Sequence, residues 1–212
     1  MSNNPNNLPI EILTNNNYLP KKWFARAPDS NLVYAPMLKC ASTYYRNMCE
    51  INGWTSIEYS QIDWDKDQVF GFIMDPYRRH VKGLVEDHAR LKKVFGLTLD
   101  QVHDKFWHFA PTIGIHSIGI TQFYYGLYDK MTWIPLNIPG VDTKQQLQIL
   151  FDQNRVNWRW DHNVNPNIGD QNKQKVFEDL WTKFDGPGQN WYNLVHREDV
   201  LLYQKIKDKF RS

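Results

Sequence analysis

Short apolar runs alternate with longer amphipathic segments through most of this chain. Residues 32–35 (Leu-Val-Tyr-Ala) are continuously apolar and follow Pro28-Asp29-Ser30, a turn signal, so they read as a buried strand. A helix is predicted over 42–52, closed by Gly53 as its C-terminal cap. Residues 55–59 alternate and form a second strand candidate. Residues 68–74 (Gln-Val-Phe-Gly-Phe-Ile-Met) are nearly all apolar, the pattern of a parallel strand covered on both faces. Pro76 opens a helix, where its missing N–H is tolerated, and the helix runs to about residue 95 ahead of Gly96.

Further helices are expected at 99–109, 143–151, 173–184 and 199–210, with another strand at 131–134. Asp185-Gly186-Pro187-Gly188 closes the helix at 173–184. Residues 155–171 are rich in Asn, Trp and His without periodicity and read as a functional loop. Strands alternating with helices predict an α/β fold, three-layer α/β/α around a central parallel sheet. Its ligand is expected at the carboxyl ends of the strands. Residues 1–20 hold seven Asn and three Pro, so 1–25 read as a polar, partly disordered lead-in and 26–212 as a single domain.

Composition narrows the function. The charge is +2 from 25 basic and 23 acidic residues, too balanced for a nucleic-acid binder, so an anion site must be a local cluster. Aromatics reach 15%, with nine Trp; they fill cores, and also line sites that stack on sugars or bases. Trp158 and Trp160 read as packing or as a wall for a sugar. Cys40 and Cys49 argue against a disulfide framework, and no His or Cys stands near them at zinc spacing. There is no run of about 18 apolar residues for a membrane span and no basic-apolar signal pattern at the start of the chain.

The densest chemistry lies at 33–47. The apolar run stops at Pro36, Lys39 follows, and Ser42 and Thr43 stand at a helix start. The first N–H groups of a helix lack internal partners, and the helix dipole favours negative charge there. Lys39 adds a cation, and Ser42 and Thr43 can cap or donate to phosphate oxygens. The spacing is not G-x-x-x-x-G-K-[ST], so the ligand is phosphate-like but not ATP.

Lys39-x-Ala41-Ser42-Thr43 resembles the 5′-phosphosulfate loop of sulfotransferases that use 3′-phosphoadenosine 5′-phosphosulfate (PAPS), closest to the carbohydrate, heparan-type branch. The 3′-phosphate signature of that family, a strand ending in Arg-Asp-Pro-Phe-x-Arg-x-x-Ser, is matched by Asp75, Pro76, Tyr77 and Arg79, with Met74 in place of Arg and Lys82 in place of Ser. Lys82 shares a helix face with Arg78 and Arg79 and can restore the charge. His108-Phe109-Ala110-Pro111-Thr112, His162-Asn163-Val164-Asn165 and the segment 193–203 are similar to further family segments in the same order.

The resemblance implies a P-loop-like sulfotransferase fold over 26–212 and transfer of a sulfuryl group from PAPS to a hydroxyl, with 3′,5′-adenosine bisphosphate (PAP) as product and no metal. It implies that Lys39 stabilises the leaving phosphate. Lys39, Cys40, Ala41, Ser42, Thr43 and Tyr44 would surround the 5′-phosphate, and Arg79 and Lys82 the 3′-phosphate. The acceptor would be a small molecule or glycan, with no nucleic-acid or membrane partner, in a cytoplasmic protein of bacterial or viral type. Such transfer depends on alignment and preorganised positive charge. The general base is expected to be His108, with His88 and Glu58 as alternatives. His103, His116 and His196 read as structural or surface residues. Two other functions fit the residues: a nucleotide or phosphate-ester kinase with an atypical phosphate loop, needing Mg²⁺, and a non-catalytic nucleotide-binding protein, which Met74 keeps open.

Overall fold

The computed structural model describes residues 23–96, 98, 119–124, 126–161, 171–184 and 186–210. Five strands form one mixed sheet: β1 (Phe24–Arg26), β2 (Leu32–Tyr34), β3 (Thr55–Ile57), β4 (Gln68–Ile73) and β5 (Thr132–Pro135), in the order β3-β1-β2-β4-β5. The helices are α1 (Ser42–Ile51), α2 (Pro76–Phe95), the single turn α3 (Ile120–Phe123), α4 (Thr143–Gln153), α5 (Gln171–Phe184), α6 (Pro187–Val195) and α7 (Arg197–Lys209).

The expected parallel sheet is corrected to a mixed one. β2, β4 and β5 run parallel, with Tyr34 opposite Phe70 and Gly71 opposite Trp133. β1 runs antiparallel to both β2 and β3. The cause is chain length: residues 27–31 join β1 to β2, far too few for the dozen or more that a parallel crossover takes. β1 also takes Phe24 and Ala25 into the sheet from the segment read as lead-in.

β4 is buried from its second residue onward, as its apolar run predicts. Its alternate residues Phe70 and Phe72 lie on the face of Tyr34, where Tyr45 of α1 stacks on Phe72 at 3.9 Å between ring centroids and Phe151 of α4 meets Phe70 at 6.1 Å. Trp158 joins this face against Trp54 and Phe151, so it is packing. On the opposite face Tyr124 meets Trp133. A second apolar cluster joins α2 to α5 and α6 through Val81, Leu84, Val85, Leu180, Phe184 and Tyr192. Among the described residues no helix is long and apolar enough to cross a membrane.

The helix starts follow their local chemistry. Asp75 precedes Pro76 and its Oδ1 accepts the Arg78 N–H at 3.0 Å, an N-cap with proline in the first helical position. Asp142 does the same for α4 through the N–H groups of Lys144 and Gln145. At the end of α1, Gly53 has a positive φ of 73°, as its expected capping role requires. Residues 99–109, expected to be helical, lie outside the described residues.

Candidate functional site

The loop from Ala35 to Ala41 leaves the carboxyl end of β2 beside the end of β4. Ala35 continues the ladder by donating to the Phe70 carbonyl at 2.8 Å. The Pro36 carbonyl then accepts two hydrogen bonds, from Trp23 Nε1 at 2.8 Å and from the Tyr124 hydroxyl at 2.7 Å. Gly71 makes this exit possible: a Cβ there would lie 3.0 Å from the Ala35 carbonyl oxygen and 3.1 Å from both Met131 and Trp133. The loop then turns sharply, with Lys39 at φ 64° and Ala41 at φ 55°, left-handed conformations that L residues adopt at a cost.

Ala41 is the N-cap of α1, with no side-chain cap and no acidic residue in the first turn. The first intrahelical bond of α1 is from Tyr45 N–H to the Ala41 carbonyl. The N–H groups of Ser42, Thr43 and Tyr44 therefore open the helix without intrahelical partners. Ser42 is buried, Thr43 exposed and Tyr44 half-buried, edge-on to Tyr45. Neither hydroxyl caps the helix, so the capping role expected of this pair is not filled and the start of α1 has no side-chain cap.

The second segment meets this loop from α2. The Cys40 thiol is fully buried beside the Met74 backbone, within the influence of the charges on Arg79 and Lys82. Burial pushes it up to about 12, so it is a neutral thiol and not a nucleophile. Lys82 is half-buried; burial, then the nearby charges of Arg78 and Lys39, hold its ammonium below the usual lysine range. Lys39 and Lys82 thus lie near Cys40 at the carboxyl ends of β2 and β4. A crowded, partly desolvated set of cations beside a helix N-terminus can bind a multiply charged anion.

Arg79 stands apart from the rest. Its side chain is fully buried, with Nη2 3.8 Å from Asp199 Oδ2. Asp199 also accepts from the N–H of Ile120 at 2.7 Å, the N–H of Thr121 at 2.8 Å, the Thr121 hydroxyl at 2.6 Å and the Tyr192 hydroxyl at 3.2 Å. The rings of His80 and His196 flank Tyr192 at 4.9 and 4.6 Å. Burial pushes His196 down to about 4, against the opposing pull of Asp199. Arg79 is therefore a buried strut between α2 and α7.

Of the expected bases, His108 lies outside the described residues, and so does the side chain of His88. Glu58 is exposed at the carboxyl end of β3, on the site's side of the sheet. It is separated from β2 by β1, about 10 Å at the usual strand spacing. His103, His116 and His162 also lie outside the described residues. Among the described residues, no group of three or more His, Cys, Asp or Glu side chains could hold a metal ion.

Sequence reasoning missed Asp199 and Glu86. Val195, Asp199, Leu202 and Ile206 recur at helical spacing, so an acidic residue stands in an apolar stripe, which is the signal of a buried partner. Glu86 follows Lys82 by one helical turn, but its carboxylate reaches Lys39 at 2.9 Å and Lys173 of α5 at 3.0 Å. Those two lysines hold it down to about 2 in spite of partial burial. No family model, no curated protein and no solved structure matches the chain.

Proposed function

We propose that the protein is a PAPS-dependent sulfotransferase that transfers a sulfuryl group to a hydroxyl of a carbohydrate or small molecule, on a three-layer fold of the P-loop-like kind. One observation carries the reading: Lys39, at a tight left-handed turn before α1, lies close enough to half-buried Lys82 of α2 for its charge to help lower the Lys82 ammonium, at the carboxyl ends of two parallel strands.

The residues fit a phosphorylated nucleotide. The opening N–H groups of α1 with Lys39, Ser42 and Thr43 would hold the 5′-phosphate, and Lys82 with Arg78 the 3′-phosphate. Arg79 ties α2 to α7 through Asp199. Lys39 places a cation where charge builds on the leaving oxygen, and no side chain in the cluster serves as a covalent nucleophile. His108 is the proposed general base. Full turnover by His108→Ala would rule that assignment out.

One observation favours a second reading, a non-catalytic nucleotide-binding protein. With Arg79 directed at Asp199 and Met74 apolar, the 3′-phosphate depends on Lys82 and Arg78 alone. Turnover with a panel of acceptors separates the two.

The testing experiment is thermal denaturation with PAP beside AMP, ADP and ATP with Mg²⁺. A ligand confined to the folded state stabilises it by RT ln(1 + [L]/Kd), about 2.7 kcal/mol at one hundred times Kd. Stabilisation by PAP above the others supports the proposal. Stabilisation by ATP with Mg²⁺ alone replaces it with the kinase. No response to any nucleotide removes the cofactor.

A further inference from the structure

Glu86 reaches the anion loop from outside it. One oxygen, Oε1, lies 2.9 Å from Lys39 Nζ and 3.0 Å from Lys173 Nζ, so a single carboxylate joins the loop after β2 to α2 and α5. The three side chains keep 20% (Lys39), 30% (Glu86) and 50% (Lys173) of their exposure. Contacts open to solvent at this level are weak and exchangeable, unlike the sealed Arg79–Asp199 pair. Lys39 also stands three residues before Ser42, whose N–H is the first of the open groups of α1. An anion arriving there meets a lysine that already holds a carboxylate.

We infer that Glu86 is an internal competitor for Lys39: its carboxylate occupies the ammonium that an incoming phosphate group must take over, and Lys173 retains Glu86 when Lys39 leaves it. This rests on the anion-site reading above and refines which anions the site accepts. A group with one diffuse charge gains little when it merely replaces one anionic partner of Lys39 with another. A phosphomonoester dianion or a phosphoanhydride, held also by Lys82 and the N–H groups of α1, wins the exchange. Sharing matters physically, because with Lys39 as its only cation Glu86 would be left unpaired each time a ligand bound. With Lys173 present the network loses one arm without stranding a charge.

The test is calorimetric binding of PAP and of inorganic pyrophosphate to the full chain and to Glu86→Gln, Lys39→Met and the double variant. Glu86→Gln is expected to raise affinity for both ligands about two- to fivefold when Lys39 is present, the range for exposed ion pairs, and to change nothing when Lys39 is Met. Lys173→Met, which leaves Glu86 to Lys39 alone, is expected to lower affinity only where Lys39 is present. An equal rise on both backgrounds means a general field effect and overturns the inference. So does an absence of binding by both the natural chain and Glu86→Gln, since the latter releases Lys39. If pyrophosphate follows the cycle and PAP binds no tighter than pyrophosphate, the competitor role stands and the nucleotide reading falls.

Discussion

Arg79 Nη2 lies 3.8 Å from Asp199 Oδ2 with both side chains closed off from solvent, and this pair ties the start of α2 to the start of α7. Asp199 gathers further donors from Ile120, Thr121 and Tyr192, so its charge is compensated from four directions. Removing one partner of such a pair strands the other. Arg79→Met or Asp199→Asn is expected to lower stability by about 3–5 kcal/mol, and the double variant by less than the sum. Urea midpoints at constant m-value check this.

Gly71→Ala tests the exit of the loop 35–41 from β2. The added methyl would stand 3.0 Å from the Ala35 carbonyl oxygen, a backbone atom that cannot swing aside as a side chain can. The expected cost is about 1–3 kcal/mol, together with weaker PAP binding as the loop shifts. Denaturation and calorimetry on the same preparation read both effects.

Ala41→Gly tests the left-handed N-cap. At φ 55° alanine bears a steric cost that glycine lacks, offset in part by glycine's freedom in the unfolded chain. The variant is expected to be unchanged or about 1 kcal/mol more stable, and Ala41→Val less stable than the natural chain. Melting temperatures decide.

Lys82→Met is expected to weaken PAP binding about tenfold and AMP binding hardly at all, because only PAP carries the 3′-phosphate assigned to Lys82. An equal loss for the two nucleotides would move Lys82 to the 5′-phosphate.

Acid destabilisation should come in two separable stages. His196 is held from an ordinary 6.5 down to about 4, so between those values the unfolded chain binds a proton that the folded chain refuses. Stability is lost as pH falls through that window. Glu86 is held from 4.5 down to about 2, so its contribution is present above 4.5 and is lost as pH falls toward 2. Stability curves against pH should lose the upper stage in His196→Asn and the lower stage in Glu86→Gln.

Much of the frame was legible because it rests on local patterns. The unbroken apolar run of β4, Pro76 opening α2 and Gly53 closing α1 all depend on near neighbours, and all stand as read. β1 was not legible: three residues, Phe-Ala-Arg, carry no period, and they become a strand only because β2 and β3 flank them. α6 was hidden because Gly186-Pro187-Gly188 reads as a terminator, whereas Pro187 serves as a helix start. In the site, the cluster of Lys39, Cys40 and Lys82 could be anticipated from strand–loop–helix order. The partners of Lys39 and Arg79 could not, since Glu86 lies 47 positions from the first and Asp199 lies 120 from the second, counting along the sequence.

The two donors on the Pro36 carbonyl bear on how the protein is made. Trp23 lies 13 residues before that carbonyl and Tyr124 lies 88 after it, so the near contact can close early and the distant one only much later. During synthesis β2 and α1 emerge long before Tyr124 does. The second anchor of Pro36 therefore cannot form until residue 124 has emerged. A nascent or truncated chain ending before residue 124 has the whole loop 35–41 but only one of the two bonds that anchor it.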